Sequence, residues 1–364
     1  MFKSNRSFTN SFFGDFAYES VIRRHEDHLL VLIKKHVSFE GLNELVKNCY
    51  SKDGRYAYQP ETMLKILLIQ FLYDLADREV IESIDTNIVF RWFVGFSLSD
   101  EIPHFTRLNT FKERLGKERF EQIFNLLVKS CRKHNIISDE LRIIDTTDQK
   151  AKVNLAKLKK LFKKDDDDKT YIDRHSHDKD ASFGRKSFGN KSWYGYKAAT
   201  LAEPKTQIIT ATETIPANIA DKDITRPLVE KEEDEIGSEV EDLGGDKGFL
   251  GKDTRAVLEE REINDYIIPR KNSRNYLEGK DSVGFHMARH QRSAVERIYA
   301  DTKRKQNLGK CRYVGLTKTA IQNLLIFFSY NLKRIAKVFK VQENIYSTSA
   351  PPFSKGKLCP FLAN

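Results

Sequence analysis

The sequence predicts a mixed α/β core that follows a separate all-helical region. From about His25 to His134, apolar residues recur at spacings of three and four, with few Gly or Pro inside the runs, as in amphipathic helices. At Leu141 the pattern changes to short apolar runs typical of strands. These strands are then interleaved with helical segments, an order that predicts a sheet covered by helices. A chain of 364 residues is long enough for two domains.

The charge balance favours a phosphate-rich partner. The formal net charge is +10 and the pI is about 9.2, which suits a nucleic acid or an anionic membrane surface. The most apolar run, "AIQNLLIFFSYNL", is interrupted by Gln322, Asn323 and Asn331 and is too short to cross a bilayer. The N-terminal segment has no continuous apolar stretch of the secretory kind. We therefore expect a buried helix there, no membrane partner and a cytoplasmic location.

In the helical region, the clearest helix begins at Pro60. Its apolar stripe consists of Leu64, Leu67, Leu68 and Phe71. A second, shorter helix is predicted at "ADREVIESI". After a Pro-containing turn, the pattern predicts a basic helix from Thr106 and a further amphipathic helix behind it.

In the core region, "LRIIDTTD" is the first predicted strand. A polar stretch at about 150–191 follows, and its run "KKLFKKDDDDK" is typical of an exposed insertion. Further strands are predicted at "SWYGYKAATLAE", "KTQIITATETIP", "EVEDLGGD" and "NDYIIP". Helices are predicted at "DITRPLVEKEEDEIG", "GKDTRAVLEERE" and "RSAVERIYADTKRKQNLGK".

Three carboxylates stand where a site in such a core would lie. Asp145 directly follows the apolar run "LRII" and Asp246 follows "VEDLGG", so both are predicted to lie at strand ends, and Glu296 lies on a predicted helix. Strand ends border the ligand crevice of α/β sheets, and carboxylate oxygens suit magnesium. However, a chain with 52 acidic residues has many beside apolar runs, and such a residue, taken alone, is more often a cap, a turn former or a salt-bridge partner than a metal ligand.

Two groups of histidines have spacings that zinc ligands can have. His175 and His177 lie beside Asp178, and His286 and His290 have the i, i+4 spacing of helical ligands. Neither group has a companion motif, so both are interpreted as exposed polar segments.

Several motifs in order resemble bacterial insertion-sequence transposases of the DDE type, from groups four and five. "IIDTTDQKAK", "GDKGF" and "RSAVERIYADTK" resemble the motifs of the two aspartates and the glutamate. "SWYGYKAA", "TETIPANIADKDI" and "NLLIFFSYNLKR" are similar to the intervening and closing blocks. "ETMLKILLIQFLYDLADREVIESIDTNIVFRWFVGFSL" resembles the helical N-terminal domain, and "IPHFTRLNTFKERLG" the segment that joins it to the core. The resemblance extends from about residue 25 to 340.

The resemblance implies a ribonuclease-H-like mixed sheet flanked by helices and preceded by an all-α domain. Residues 1–136 would form the DNA-binding and dimerisation domain. Residues 137–340 would form the catalytic domain, and residues 341–364 a Ser/Pro-rich tail. Because the interval from Asp246 to Glu296 is short, no large insertion domain is expected there.

The resemblance also implies a function. Asp145, Asp246 and Glu296 would hold two Mg²⁺ ions, with Mn²⁺ as an alternative. The enzyme would bind the terminal inverted repeats of its element as a homodimer on double-stranded DNA, cleave the phosphodiester bond and transfer the strand, in the bacterial cytoplasm at the nucleoid. No small-molecule substrate is expected. The alternatives are a domesticated nuclease and a non-catalytic DNA-binding regulator.

Basic residues around the glutamate are candidates for phosphate contacts. At about 100° per residue, Arg292, Glu296, Tyr299 and Lys303 fall on one helical stripe. The resemblance implies that Arg292 and Lys303 contact DNA near the cut, although charge pairing along an exposed helix would explain them too. Arg289 stands where the family often has tyrosine. Further candidates, each also compatible with a solvated surface, are Lys197, Lys247, Lys333 and Arg334.

Overall fold

The computed structural model divides the chain into two compact units. One contains residues 1–136 and 325–364, and the other residues 137–324. The first boundary between these units follows residue 136, and the second falls within a continuous helix. The structure describes the following residues: 12–51, 57–160, 172, 174–185, 192–269, 283–345 and 357–361.

Helices make up the first unit. Its helices are α1 (Phe12–Arg24), α2 (Leu29–His36), α3 (Leu42–Val46), α4 (Pro60–Leu72), α5 (Asp77–Thr86), α6 (Ile88–Val94) and α7 (Thr106–Lys133). Helix α4 is buried on nearly every side rather than along one stripe. Two of its buried polar side chains have local partners: Lys65 Nζ donates to Glu61 at 2.6 Å, and Gln70 Nε2 donates to Asp77 at 2.6 Å.

Helix α7 is broken at Gly116. This glycine has φ 66°, in the left-handed region that favours glycine. The break separates two helical segments, as the sequence predicts.

The C-terminal residues differ from the expected tail. The last helix extends to Ile345, four residues beyond the predicted start of the tail. Leu358 then forms a bridge with Val37 and is completely buried. An apolar side chain therefore anchors this part of the chain in the helical unit, although "STSAPPFSK" lies outside the described residues.

The second unit is built on a mixed sheet. Its strands are β1 (Leu141–Lys150), β2 (Ser182–Arg185), β3 (Ser192–Glu203), β4 (Ile208–Pro216), β5 (Asp242–Gly245) and β6 (Asn264–Ile267). The strand order is β2-β3-β1-β5-β6, with β4 also paired to β3. β1 is antiparallel to β3 and parallel to β5, and β6 is parallel to β5. This is the ribonuclease-H-like arrangement that the resemblance implies, and the predicted fold class is confirmed.

Helices accompany the sheet. They are α8 (Leu155–Lys160), α9 (Thr225–Glu230), α10 (Lys252–Glu260), α11 (Val283–Gln291), α12 (Ser293–Gln306) and α13 (Leu316–Ile345). The main core of this unit joins the sheet to α9 and α10 and includes Ile144, Leu243 and Val257, all buried. At the start of β1, Arg142 is completely buried and its Nε donates to Glu232 at 2.8 Å.

The segment at 150–191 is only partly exposed. It contains α8 and β2, and most of the "KKLFKKDDDDK" run lies outside the described residues. His175 and His177 are exposed, but Asp178 is completely buried, which corrects the expectation for this segment. The hydroxyl of Tyr196 donates to Asp178 Oδ1 at 2.6 Å, and that of Tyr194 donates to the Asp178 carbonyl at 2.8 Å. These bonds attach the segment to β3.

Within the part of the chain that the structure describes, no helix is both long and apolar enough to span a bilayer.

The close contact of β5 with β1 gives a stability prediction. A Cβ atom on Gly245 would lie 2.6 Å from Ile144 Cγ2. Gly245→Ala is therefore expected to lower the free energy of unfolding by about 1–3 kcal/mol in urea denaturation. The matched control is Gly309→Ala, where the nearest atom would be Lys303 Cγ at an ordinary 3.9 Å. Equal stability of the two variants would contradict the prediction.

Candidate active site

Two of the predicted carboxylates lie side by side where the pairing of β1 with β5 ends. The last pair is Ile144 with Gly245, and Asp145 and Asp246 follow these two residues. Asp246 lies beyond the end of β5, whereas β1 continues to Lys150 and Asp145 pairs with Thr200 of β3, so Asp145 is not at a strand end as predicted. Each carboxylate is turned in the same way: Asp145 Oδ1 accepts the N–H of Thr146 at 2.8 Å, and Asp246 Oδ1 accepts the N–H of the following residue at 2.8 Å. The strand register itself therefore brings these two groups together.

Glycine in β5 allows a helix to approach the end of this strand. A Cβ atom on Gly244 would lie 2.9 Å from the Cβ of Ala288, which is in α11. The next helix in the chain, α12, carries Glu296. The glycines of "LGGD" thus allow close packing of α11, and the aspartate of the same motif, Asp246, is one of the predicted carboxylates.

Arg292 connects the third carboxylate to the second. Its Nη1 lies 3.6 Å from Asp246 Oδ1, and its Nη2 lies 3.7 Å from Glu296 Oε1. The Asp246 and Glu296 side chains are 41% and 62% exposed. One guanidinium therefore attracts two carboxylates that both remain open to solvent.

Tyr299 does not lie with Glu296 on an exposed stripe. It is buried, and its hydroxyl donates to the backbone carbonyl of Asp145 at 2.7 Å and lies 2.8 Å from Thr200 Oγ1. Burial raises the pKa of Tyr299 well above its ordinary value, so the hydroxyl stays a neutral donor. Val295, Ile298 and Thr302 are completely buried, as the sequence predicts. Helix α12 is thus fixed against β1 at Asp145.

A fourth acidic residue, Asp221, belongs to the same neighbourhood. Its Oδ1 accepts from Lys197 Nζ at 2.8 Å and from Thr146 Oγ1 at 3.1 Å. Its other oxygen, Oδ2, lies beside Gly248, where a Cβ atom would be 3.4 Å away. Asp221 therefore links the segment that follows Asp145 with the segment that follows Asp246. Sequence reasoning missed it because "PANIADKDI" lacks an apolar run that would mark a strand end.

The surroundings of Asp145 change the pKa of its carboxyl. Burial raises the pKa of its carboxyl to about 6. The N–H of Thr146 and the guanidinium of Arg292 act in the opposite direction, whereas the negative charges of Asp221 and Asp246 raise the pKa further.

Of the other residues that were predicted to contact phosphate, two pair with acidic residues and two lie in the helical unit. Lys303 Nζ donates to Asp148 at 2.9 Å, and Lys197 also donates to the carbonyl of Ile219 at 2.8 Å. Lys247 is exposed directly beside Asp246. The remaining two, both half-buried residues of α13 in the helical unit, are Lys333 and Arg334.

Sequence comparison identifies the family. A family described as "Transposase DDE domain" matches residues 138–332, more than half of the chain. The chain belongs to the DDE transposase family. A second family, "Transposase domain (DUF772)", matches residues 19–114 in the helical unit. Membership makes this chain a DNA-cleaving and strand-transferring enzyme that depends on a divalent metal.

Two solved structures of transposases are similar to this DDE transposase at low identity. A piggyBac transposase in a synaptic complex with hairpin DNA is 12% identical, with 85% of this chain and 73% of that chain covered and a TM-score of 0.35. A pre-cleavage Mos1 transpososome is 10% identical, with 78% of this chain and 98% of that chain covered and a TM-score of 0.20.

The donor chemistry at the candidate site of the DDE transposase fits a divalent metal. Asp145, Asp246 and Glu296 offer only carboxylate oxygens, which are hard ligands of the kind that Mg²⁺ and Mn²⁺ bind. In the described ranges, no three acidic, His or Cys side chains are already close enough together to hold an ion. The Asp246 and Glu296 side chains are 41% and 62% exposed, so neither is enclosed by surrounding side chains.

The raised pKa of Asp145 predicts a pH-dependent stability difference. Because its pKa is about 6 in the folded chain and 3.8 ordinarily, the folded state binds the proton more tightly. The stability that protonation contributes is fully present below about pH 4 and is lost as the pH rises through about 6. Asp145→Asn stays neutral and can still accept the Thr146 N–H. It is expected to unfold at a higher temperature than wild type at about pH 7.5, and at a similar temperature near pH 4.

The measurement is thermal unfolding in EDTA-containing buffers across this pH range. Asp223→Asn, which neutralises an exposed carboxylate in the same unit, is the control. A stability difference between Asp145→Asn and wild type that does not change with pH would show that this carboxyl is not the titrating group.

Asp221 is expected to act as a positioning residue. Asp221→Asn keeps an oxygen for Lys197 and Thr146 but removes the negative charge, so it is expected to slow DNA cleavage about 10-fold and raise the Mg²⁺ concentration for half-maximal rate. The control is Asp223→Asn, expected to match wild type in both measurements. Identical metal dependence of the two variants would limit Asp221 to a structural role.

Proposed function

We propose that this transposase cleaves the ends of an insertion sequence and transfers the freed strands, with Asp145, Asp246 and Glu296 as metal ligands. The observation that supports this proposal best is the register of β1 and β5. It places two aspartates side by side directly after the last paired residues of these strands. Arg292 forms ion pairs with both Asp246 and Glu296, so Glu296 lies close to the same region. The proposal covers two Mg²⁺ ions, with Mn²⁺ as an alternative.

The proposed role of each ligand follows from its surroundings. Bound divalent ions supply a water of lowered pKa and stabilise charge on the leaving 3′ oxygen of the phosphodiester. The Tyr299 hydroxyl donates to the backbone carbonyl of Asp145 and restricts the movement of that residue, so Asp145 provides the rigid ligand. Asp246 and Glu296 are more exposed and can adjust to the substrate. After hydrolysis, the 3′ hydroxyl at the element's end is the nucleophile that attacks target DNA.

The basic residues would receive the DNA backbone. Arg292 and Lys303 now pair with carboxylates, and phosphate oxygens can replace those partners with bonds of the same charge-assisted kind. Lys247 is exposed beside Asp246 and can reach phosphate directly. The two bonds of Lys197 to protein oxygens favour a role in holding Asp221 over direct contact.

The helical unit would bind the terminal inverted repeats. Its proposed contacts include Lys333 and Arg334, which belong to this unit in the structure. The domains proposed from the sequence, residues 1–136 and 137–340 with a tail beyond, would instead assign these two residues to the catalytic domain. Because both ends of an element must be processed together, a homodimer on DNA is proposed, in the bacterial cytoplasm at the nucleoid.

Cleavage of a DNA fragment that carries the element's ends tests the proposal. Asp145→Ala, Asp246→Ala and Glu296→Ala are each expected to lower the rate of Mg²⁺-dependent strand cleavage at least about 100-fold, because each removes a ligand. Asp223→Ala is the matched control and is expected to cleave like wild type. DNA binding is measured in parallel and should survive all four substitutions.

Equal rates for wild type and the three ligand variants would overturn the assignment of the ligands. Binding of the ends without cleavage by wild type in either metal would instead favour a non-catalytic DNA-binding regulator.

A further inference from the structure

Two lysines are held side by side at the far end of β1. Lys150, the last residue of β1, forms a parallel bridge with Lys310. The N–H of Lys150 donates to the carbonyl of Gly309 at 2.9 Å, and the N–H of Cys311 donates to the carbonyl of Lys150 at 2.8 Å. Residues paired in this way lie about 5 Å apart and point to the same face. The backbone therefore places two like charges next to each other.

The turn that carries Lys310 is fixed from several sides. Asn307 adopts a left-handed conformation with φ 55° and ends α12. Gln322 Nε2 donates to the carbonyl of Lys310 at 2.9 Å, and its Oε1 accepts the N–H of Arg312 at 2.7 Å. Cys311 is buried in a small core with Tyr194 and Tyr196. Lys310 thus cannot move away from Lys150 without breaking this set of contacts.

Like charges directly opposite each other destabilise a sheet. Within the ranges that the structure describes, both lysines are exposed and neither ammonium has an acidic partner. An exposed bridge position accepts many polar side chains, so nothing in the local fold requires lysine at both places. The unfavourable pair is explained if an external anion neutralises it.

The surrounding charges are also mostly positive. Lys152 is exposed two residues beyond Lys150, and the last turn of α12 contributes three more basic residues. Lys303 is paired with Asp148 at 2.9 Å, and Lys305 with Asp301 at 2.8 Å. We call the following six residues the basic patch: Lys150, Lys152, Lys303, Arg304, Lys305 and Lys310.

The basic patch is continuous with the candidate active site through α12. Glu296 and Lys303 are seven residues apart on this helix, which corresponds to about 10 Å at 1.5 Å per residue. Duplex DNA carries one negative charge per about 1.7 Å of its axis, so a duplex with its scissile phosphate at Glu296 presents several phosphates at that distance. A uniform polyanion of this length fits the basic patch better than an isolated acidic side chain of a protein partner does.

We propose that Lys150 and Lys310, supported by Lys152, bind the phosphodiester backbone of duplex DNA beyond the cleaved bond. The proposal rests on the proposed function for the identity of the polyanion, but not for any catalytic step. The contacts are to phosphate, so they add affinity without base sequence preference.

Salt-dependent binding of a fluorescent duplex of random sequence and about 40 base pairs tests this proposal. Affinity is measured in EDTA between about 50 and 200 mM NaCl for wild type and for Lys150→Gln/Lys310→Gln. Loss of two phosphate contacts is expected to reduce the slope of log affinity against log salt by about 1.8. Lys150→Arg/Lys310→Arg keeps both charges and is expected to keep the wild-type slope.

Lys205→Gln/Lys252→Gln is the matched control, since it removes the same charge from exposed positions outside the basic patch. An unchanged slope in the basic-patch variant, or an equal reduction in this control, overturns the proposal. Because Gln relieves like-charge repulsion, the unfolding temperature of the variant is expected to equal or exceed that of wild type. Should the double variant not fold, Lys310→Gln alone is expected to show about half the change in slope.

The failure of this proposal can be distinguished from failure of the proposed function. If wild type cleaves the element's ends while the basic-patch variant keeps the full slope, only the contact proposed here is wrong. If wild type does not bind duplex DNA at all, both fail.

Discussion

The parallel pairing of β1 with β5 is the constraint on which the site depends. It places Ile144 opposite Gly245, so the two aspartates that follow these residues lie side by side. A shift by one residue would turn one of these carboxylates to the opposite face of the sheet. Glycine in β5 allows both the close strand contact and the approach of α11, and Tyr299 then attaches α12 to the backbone of Asp145. The same few residues therefore determine both how these elements pack and where the proposed metal ligands lie.

Acidic and basic groups alternate around the site. Arg292 lies between two carboxylates, and Lys197 neutralises Asp221. Such pairing keeps Asp221, Asp246 and Glu296 close together at a tolerable cost, because each of the three has a cation within ion-pair distance. Under the proposed function, these cations would also meet the phosphate oxygens of the DNA, which is the preorganisation that phosphoryl-transfer sites require. The exception is the bridge of Lys150 with Lys310, where two cations face each other.

Much of the fold could be predicted from the sequence, because apolar runs indicate the strands and helical periodicity indicates α12. The apolar run "LRII" does not indicate where β1 ends, since this strand continues to Lys150. Periodicity gives relative angles only, so it grouped Tyr299 with Glu296 although Tyr299 packs against β1. Asp221 and Asp178 were missed as site and core residues because each lies in a polar segment, and only tertiary contacts reveal their partners. The pairing of Lys150 with a residue 160 positions later has no local signal at all.

The most direct test of the central claim is a crystal structure of the full chain grown with Mn²⁺, with an anomalous difference map. The strand register predicts density for Mn²⁺ in contact with oxygens of Asp145 and Asp246, with Glu296 turned toward the same ion or its neighbour, and Asp145→Ala should remove that density. Bound Mn²⁺ that contacts neither aspartate, or that survives Asp145→Ala unchanged, would contradict the claim that β1 and β5 together form the metal site.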